Sequence, residues 1–281
     1  MTYFNAVILG LIQGLAEFLP ISSSGHLSIA RNLLGFQVEG ADGTFFDILL
    51  HLGTLVAVFA AYWSDIREMI VEFFLGVRDI ARRQTPTPPS PARRLILMIV
   101  VGTLPLFAVL PVRDLVEGLS DNTYFVGTAL LVTGGLLFLC DRLRKGRKTA
   151  KSASMLDALL VGVGQALATV PGISRSGMTI SMGCFRGFDR RFAVRFAFLL
   201  SIPAVLGANI LSIKDALAEG IDPALLPVYG LGVLVAAVSG YLSIALVRLV
   251  AGKGKFGAFA YYCWAAGALT LVLTVVQSLK A

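Results

Sequence analysis

The sequence predicts an all-α, polytopic membrane protein: an inverted-topology repeat with six transmembrane helices and two re-entrant helical hairpins. Three observations carry this. The 281-residue chain is 56% hydrophobic and only 15% charged, with a mean hydropathy of +0.80, more apolar surface than a soluble domain of this size can bury. Its apolar runs are continuous rather than alternating, so the backbone groups must be satisfied inside helices and not around a barrel. A polar, Gly/Pro/Ser-interrupted segment near the N-terminus also recurs in the second half.

Taken in order, residues 4–34 are apolar but broken midway at "LPISSSGH". They read as a hairpin that enters and leaves on one side, because a single crossing would spoil the alternation of basic and acidic loops. Spans follow at 45–63, 95–111 and 123–140, each near the ~20 residues a bilayer core requires. Between the first two lies a basic stretch, 64–94, containing the Pro-rich connector "QTPTPPSP" (84–91), for which no regular structure is implied. A second broken segment, 155–185, reads as the second hairpin, and spans at 193–212, 226–249 and 257–278 complete the chain.

The net charge of +7 is distributed by topology: six basic residues in 64–94, six in 141–151, four in 186–195 and three in 248–255. Those stretches are placed in the cytoplasm by the positive-inside rule, and the acid-leaning loops 36–44, 112–122 and 213–224 on the other side. The basic excess therefore points to no nucleic-acid partner, although it suits contact with anionic membrane lipid. Asp141 and Asp157 lie near expected interfaces and read as helix-end charges. Cys140, Cys184 and Cys263 are widely spaced in apolar runs and read as free packing thiols. The first basic residue is Arg31, so the opening lacks the charged start of a cleavable signal peptide.

"GLIQGLAEFLPISSSGH" (10–26) aligns without gaps on "GVGQALATVPGISRSGM" (162–178), with eight of seventeen positions identical at an offset of 152. "FDILLHLGTLVAV" (46–58) likewise resembles "FAFLLSIPAVLGA" (196–208). One integral membrane domain, 1–281, is thus divided into repeats 1–152 and 153–281, each a hairpin plus three spans. Three is odd, so the second repeat is inserted upside down, an arrangement that brings two hairpin tips together near the midplane.

The differences between the tips carry the chemistry. Glu17 and His26 stand where the second copy has Thr169 and Met178, and Arg175 stands where the first has Ser23. A charge at depth costs at least about 2.5 kcal/mol on insertion scales, so it needs a partner and a use. In "PGISRSGMT" (171–179), Gly172 and Gly177 allow close approach. Ser174, Ser176 and Thr179 offer hydroxyls, and Arg175 offers a fork matched to phosphate oxygens. The plainer reading makes Ser174 and Ser176 helix caps. Gln13 and Glu17 share a helix face ahead of Pro20, and Glu17 could bind a divalent cation with the Gln13 carbonyl, act as a base, or form a structural ion pair with Arg175. His26 could be base, nucleophile or acid, or a packing residue. Asp47 and His51 share a face of the next span; they could support the site from behind or line a polar path, with a structural role the preferred reading.

Together "QGLAEFLPISSSGH" and "PGISRSGMT" resemble the bacitracin-resistance-type undecaprenyl-diphosphate phosphatase family of bacterial integral membrane proteins, over essentially the whole chain. The resemblance implies hydrolysis of undecaprenyl diphosphate to the monophosphate and phosphate, recycling the lipid carrier of cell-wall synthesis and conferring bacitracin resistance. It also implies dependence on Mg²⁺ or Ca²⁺, and a cytoplasmic (inner) membrane enzyme whose site faces the extracytoplasmic side. Residue by residue, the family's acidic motif falls on Gln13 and Glu17, its serine and histidine on Ser23 and His26, and its phosphate-binding segment on Pro171–Thr179, centred on Ser174 and Arg175. Gln13 leaves a single carboxylate in the acidic motif. Catalytic roles are thus expected for Glu17, Ser23, His26 and Arg175, and the oligomeric state is open, a homodimer included. Two rivals stand beside this reading. A type-2 phosphatidic acid phosphatase would need a histidine after the serine-arginine pair, and both histidines here lie upstream. The other rival is a transporter or lipid flippase.

Overall fold

The computed structural model describes residues 1–36, 40–83, 90–143, 145–219, 222–253 and 255–280, with only the backbone described for 40–42 and 214–219. The helices are α1 (Tyr3–Phe18), α2 (Ser23–Asn32), α3 (Gly40–Ala61), α4 (Trp63–Ala81), α5 (Pro91–Thr103), α6 (Arg113–Gly118), α7 (Thr123–Arg142), α8 (Met155–Leu167), α9 (Arg175–Phe185), α10 (Arg190–Glu219), α11 (Leu226–Lys253) and α12 (Gly257–Ser278). No strand forms among the described residues. Six segments are long and apolar enough to cross a membrane: Gly43–Ala61, Pro91–Asp121, Thr123–Arg142, Arg190–Ile213, Pro223–Lys253 and Gly257–Ser278. They coincide with the six expected spans, and the chain is a multi-pass membrane protein.

Both broken segments are helix pairs, α1–α2 and α8–α9, and they break for the same reason. Pro20 forces Leu19 out of the helical region, to φ −62° and ψ 137°. Ser22, at φ 74°, then caps α2 by accepting from the Gly25 N–H at 3.3 Å. In the second copy Pro171 is followed by Gly172 at φ 88°, and Ser174 caps α9 by accepting from the Gly177 N–H at 3.0 Å. The aligned serines thus do the same local work at each break.

Two expectations need correction. The stretch 64–94 is not simply a loop, because it contains α4. Its charges (Arg67, Glu68, Glu72, Arg78, Asp79) disqualify it as a span, yet apolar residues at helical spacing (Ile66, Ile70, Phe73, Val77, Ile80) make it amphipathic. Arg93 of α5 reaches Asp79 at 3.0 Å and Glu72 at 3.2 Å, tying the two helices together. Of the connector 84–91, residues 84–89 lie outside the described residues, while Ser90 caps α5 and Pro91 opens it. The expected span 95–111 is regular only to Thr103; Pro105 and Pro111 turn the remainder into two short 3-10 turns, Leu104–Ala108 and Leu110–Val112. Glu39 of the acidic loops also lies outside the described residues, as do the side chains of Asp42, Asp215 and Glu219.

Packing crosses between the halves. α1 runs parallel to α11 with Gly10 against the Gly232 backbone, and α8 runs parallel to α5 with Gly162 against the Gly102 backbone. A methyl at Gly10 would sit 2.6 Å from the Gly232 carbonyl oxygen. Small residues let these backbones touch, where apolar bulk gives no preference over lipid. α7 and α12 run antiparallel, with Gly127 and Gly267 approaching each other's backbone and Trp264 donating to the Leu131 carbonyl at 3.1 Å. α3 and α10 are also antiparallel; just past the end of α3, Tyr62 meets Phe198 of α10 edge-on, 6.1 Å apart, and Asp65 of α4 pairs with Arg195 of α10.

The three cysteines are buried and free, as expected. Asp157 and Asp141 are more than helix-end charges. Asp157, 1% exposed at its side chain, binds Arg186 at 2.8 Å and Lys148 at 2.9 Å; this closes the base of the α8–α9 pair. Asp141 holds Arg190 at 3.0 Å and accepts from the Phe256 N–H at 3.1 Å.

Adding one methyl where two helix backbones touch tests this packing. Gly162→Ala is expected to destabilise the detergent-solubilised protein by about 1–3 kcal/mol, read as a lowered melting midpoint. Gly135→Ala, whose added Cβ meets nothing within 4 Å, should not lower the midpoint, since alanine is the better helix former.

Candidate active site

The two breaks meet tip to tip. The Gly172 N–H donates to Ser24 Oγ at 3.4 Å, Ser176 Oγ donates to the Leu19 carbonyl at 3.3 Å, and a Cβ on Gly25 would meet the Gly172 Cα at 3.1 Å. Thr133 of α7 braces the second tip, donating to the Gly172 carbonyl at 3.2 Å and accepting from the Ser174 N–H at 3.1 Å.

Beside this junction lies a cavity of about 520 Å³. Its polar end is formed by Glu17, Ser22–Ser24, His51, Gln165, Thr169 and Arg175. The remainder is largely apolar, from Leu106, Phe107 and Leu110 of the 3-10 turns and Pro203, Ala204 and Leu211 of α10. Pro105 and Pro111 break one wall and Pro203 interrupts the hydrogen bonding of the other.

Glu17 is the centre of the polar end. Its Oε2 accepts from Ser23 Oγ at 2.6 Å and from Gln13 Nε2 at 3.1 Å, and its Oε1 lies 3.7 Å from Arg175 Nη1. The helical spacing of Gln13 and Glu17 delivers the first contact, and the sharp turn at Ser22 folds Ser23 back onto the carboxylate. A hydroxyl donating to a carboxylate at this distance has its proton partly drawn away. Four buried atoms around it have no hydrogen-bond partner: Arg175 Nη1, Gln13 Oε1, and both amide atoms of Gln165. Buried polar atoms are rarely left unmet, so this cluster is built to receive something.

The sequence-selected residues divide into two groups. Glu17, Ser23 and Arg175 come together in the cavity, with Gln13 bonded to Glu17. Gly172, Ser174, Ser176, Gly177 and Thr179 do not line it. Ser174 is a cap, Ser174 and Ser176 hydroxyls lie 3.2 Å apart, and Thr179 donates back to the Arg175 carbonyl at 2.8 Å. Of the expected phosphate-binding segment only Arg175 and its neighbour Ile173 reach the cavity, because the hydroxyls are consumed in holding the tip's shape. His26 does not line it either: its Nδ1 bonds the Ser22 carbonyl at 2.8 Å and its Nε2 the Tyr262 hydroxyl at 2.9 Å, with the two rings stacked 5.6 Å apart.

Gln165 and Thr169 join the polar end without having been chosen for it, and His51 lines it, the less favoured of the readings given for that residue. Gln165 and Thr169 are the repeat partners of Gln13 and Glu17, a signal present in the self-alignment. His51 sits four residues after Asp47, which instead grips Arg31 in a bidentate pair and fixes α2 against α3. Among the described residues no group of three or more His, Cys, Asp or Glu converges on a metal position.

Residues 6–269 match the family model described as bacitracin resistance protein BacA. An undecaprenyl-diphosphatase of Alkaliphilus metalliredigens is 39% identical, covering 98% of this chain and all of the relative. One of Methanosphaera stadtmanae is 41% identical over 97% of this chain and 98% of the relative. One of Syntrophotalea carbinolica is 40% identical over 98% of this chain and its own full length.

Proposed function

Because the chain belongs to the bacitracin resistance protein BacA family, we propose that it hydrolyses undecaprenyl diphosphate to undecaprenyl phosphate and phosphate. It thereby recycles the lipid carrier of cell-wall synthesis and confers bacitracin resistance. The observation that carries this reading is the Ser23–Glu17–Arg175 constellation, with its unmet polar atoms, at the polar end of a largely apolar cavity. A diphosphate on a prenyl chain has the same polarity, one charged end and a long apolar tail.

In this reading Arg175 Nη1 and the Gln165 amide nitrogen take the terminal phosphate, while the 3-10 turns and α10 accept the first part of the prenyl chain. Ser23 Oγ bonds to the terminal phosphorus as the bridging P–O bond breaks. Its proton passes to Glu17 and on to the departing phosphate oxygen. Water then attacks the phosphoserine, giving a proton to Glu17, which returns it to Ser23 Oγ as phosphate leaves. Hydroxyl and carboxylate are already bonded, so the attack begins from a formed hydrogen bond.

A divalent cation, Mg²⁺ or Ca²⁺, fits this site as a partner of the substrate. Gln13 Oε1 is a buried, unmet oxygen next to the Glu17 carboxylate. Such ions are commonly held by one or two protein oxygens and completed by substrate phosphates. It would neutralise phosphate charge.

We read the halves as an inverted repeat with re-entrant tips. What supports this is that α3 and α7 run antiparallel to their repeat partners α10 and α12. The basic stretches lie at the helix ends opposite Arg113 and Glu117, which line the cavity beside the acid-leaning 112–122 loop. The cavity would then face the extracytoplasmic side of the inner membrane.

Phosphate release from a long-chain prenyl diphosphate by purified protein in detergent is the direct test. No second compartment exists there, so a pure transporter would be silent, and silence would overturn the reading. Ser23→Ala, Glu17→Gln and Arg175→Ala should each lower kcat/KM by at least about 100-fold with insertion unchanged. Near-wild-type turnover would remove that residue from the mechanism. His51→Ala should reduce turnover more than Tyr262→Phe, which alters only the partner of His26. Chelator should suppress release, added Mg²⁺ or Ca²⁺ should restore it, and Gln13→Glu should lower the half-saturating cation concentration.

A further inference from the structure

A second concavity, of about 830 Å³, lies where the ends of α3, α10 and α11 meet, and shares no residue with the first. Four cations line it, Arg191, Arg195, Arg248 and Lys253, against the single carboxylate of Asp65. The positive-inside rule accounts for basic residues near this end of the protein. It does not account for their convergence on one hollow, since like charges on a solvated face gain by spreading apart.

The lining is also incompletely satisfied. Tyr62, 3% exposed, lines the concavity with its hydroxyl buried beside the Arg248 guanidinium. Arg195 pairs with Asp65 through one terminal nitrogen, while its Nε is buried and unpartnered. Arg248 lies over the Tyr62 ring at 3.9 Å and donates to the Ala61 carbonyl. Arg191 and Lys253 are exposed at the rim. Forked donors, one of them buried and unpartnered at Arg195 Nε, and excess positive charge are what phosphate oxygens require.

The surroundings favour a lipid as the source of that phosphate. Leu242, Leu246 and Leu249 form an exposed stripe along one face of α11, and Leu249 is itself part of the lining. An acyl chain lying on that stripe would deliver its headgroup to the cations. We propose that this concavity binds the phosphate headgroup of an anionic membrane lipid, at the opposite end of the protein from the mouth of the catalytic cavity.

The test uses the full chain in nanodiscs of phosphatidylcholine with increasing phosphatidylglycerol, reading association of the anionic lipid by native mass spectrometry. Wild type should enrich the anionic lipid, and enrichment should fall as ionic strength rises. The rim variant Arg191→Gln/Lys253→Gln should bind it at least about tenfold more weakly, and Arg191→Lys should keep it. A melting midpoint equal to wild type in pure phosphatidylcholine checks that the rim variant is folded, and the salt dependence of wild type needs no variant. Equal retention of both lipids by wild type would overturn the proposal, as would undiminished enrichment in the rim variant. Saturable stabilisation by inorganic phosphate alone, in pure phosphatidylcholine, would assign the site to the free ion and overturn the lipid.

Discussion

The Glu17 carboxylate and the Arg175 guanidinium face each other across the junction of two broken helices, and the rest of the site depends on that encounter. Neither charge is sustainable alone at depth in an apolar body. At 3.7 Å the pair is close enough to compensate but is not a closed fork, so Arg175 Nη1 keeps a donor without an acceptor. A tighter pair would satisfy both groups. The looseness that leaves this donor open is maintained by the bonded tips and not by the pair itself.

The tips show how one motif serves two ends. Ser22 and Ser174 cap their helices alike, yet the residues after them diverge. In the second copy, Ser174, Ser176 and Thr179 bond inward and build a rigid platform from which one side chain, Arg175, projects. In the first copy, the turn at Ser22 sends Ser23 onto Glu17, and the neighbouring Ser24 links across to Gly172. A non-glycine residue at positive φ is strained by about 1–3 kcal/mol, and here that strain aims the hydroxyl that meets the carboxylate. The shared motif supplies the scaffold, and the differences at 17, 23 and 175 make the two sides chemically complementary.

Glycine contacts hold these tips in register. Gly10 on Gly232 and Gly162 on Gly102 seat the first helix of each broken pair against a helix of the opposite half, so neither tip can shift without disturbing the other half. The walls beyond are softened by proline at 105, 111 and 203, which leaves room for a chain-like ligand next to a stiff polar end.

Much of this was legible in the sequence. Composition and run length determined an all-helical membrane protein, and all six spans fall where hydropathy puts them. Charge and self-alignment identified both broken segments, and the odd pair of residues 17 and 175 announced that they should meet. α4 was hidden because its charges mask an apolar face that only helical winding assembles. The tertiary structure alone decided which hydroxyls are free. By sequence Ser23, Ser174 and Ser176 are all hydroxyls at a helix break, but a hydroxyl becomes available for chemistry only when the backbone around it has been satisfied by something else. Likewise His26 and His51 are two imidazoles on apolar helices until packing turns one toward Tyr262 and the other toward the cavity. Residue type and spacing fix what a side chain could do; the direction in which it points, and whether its bonds are already taken, is settled by neighbours distant in the chain.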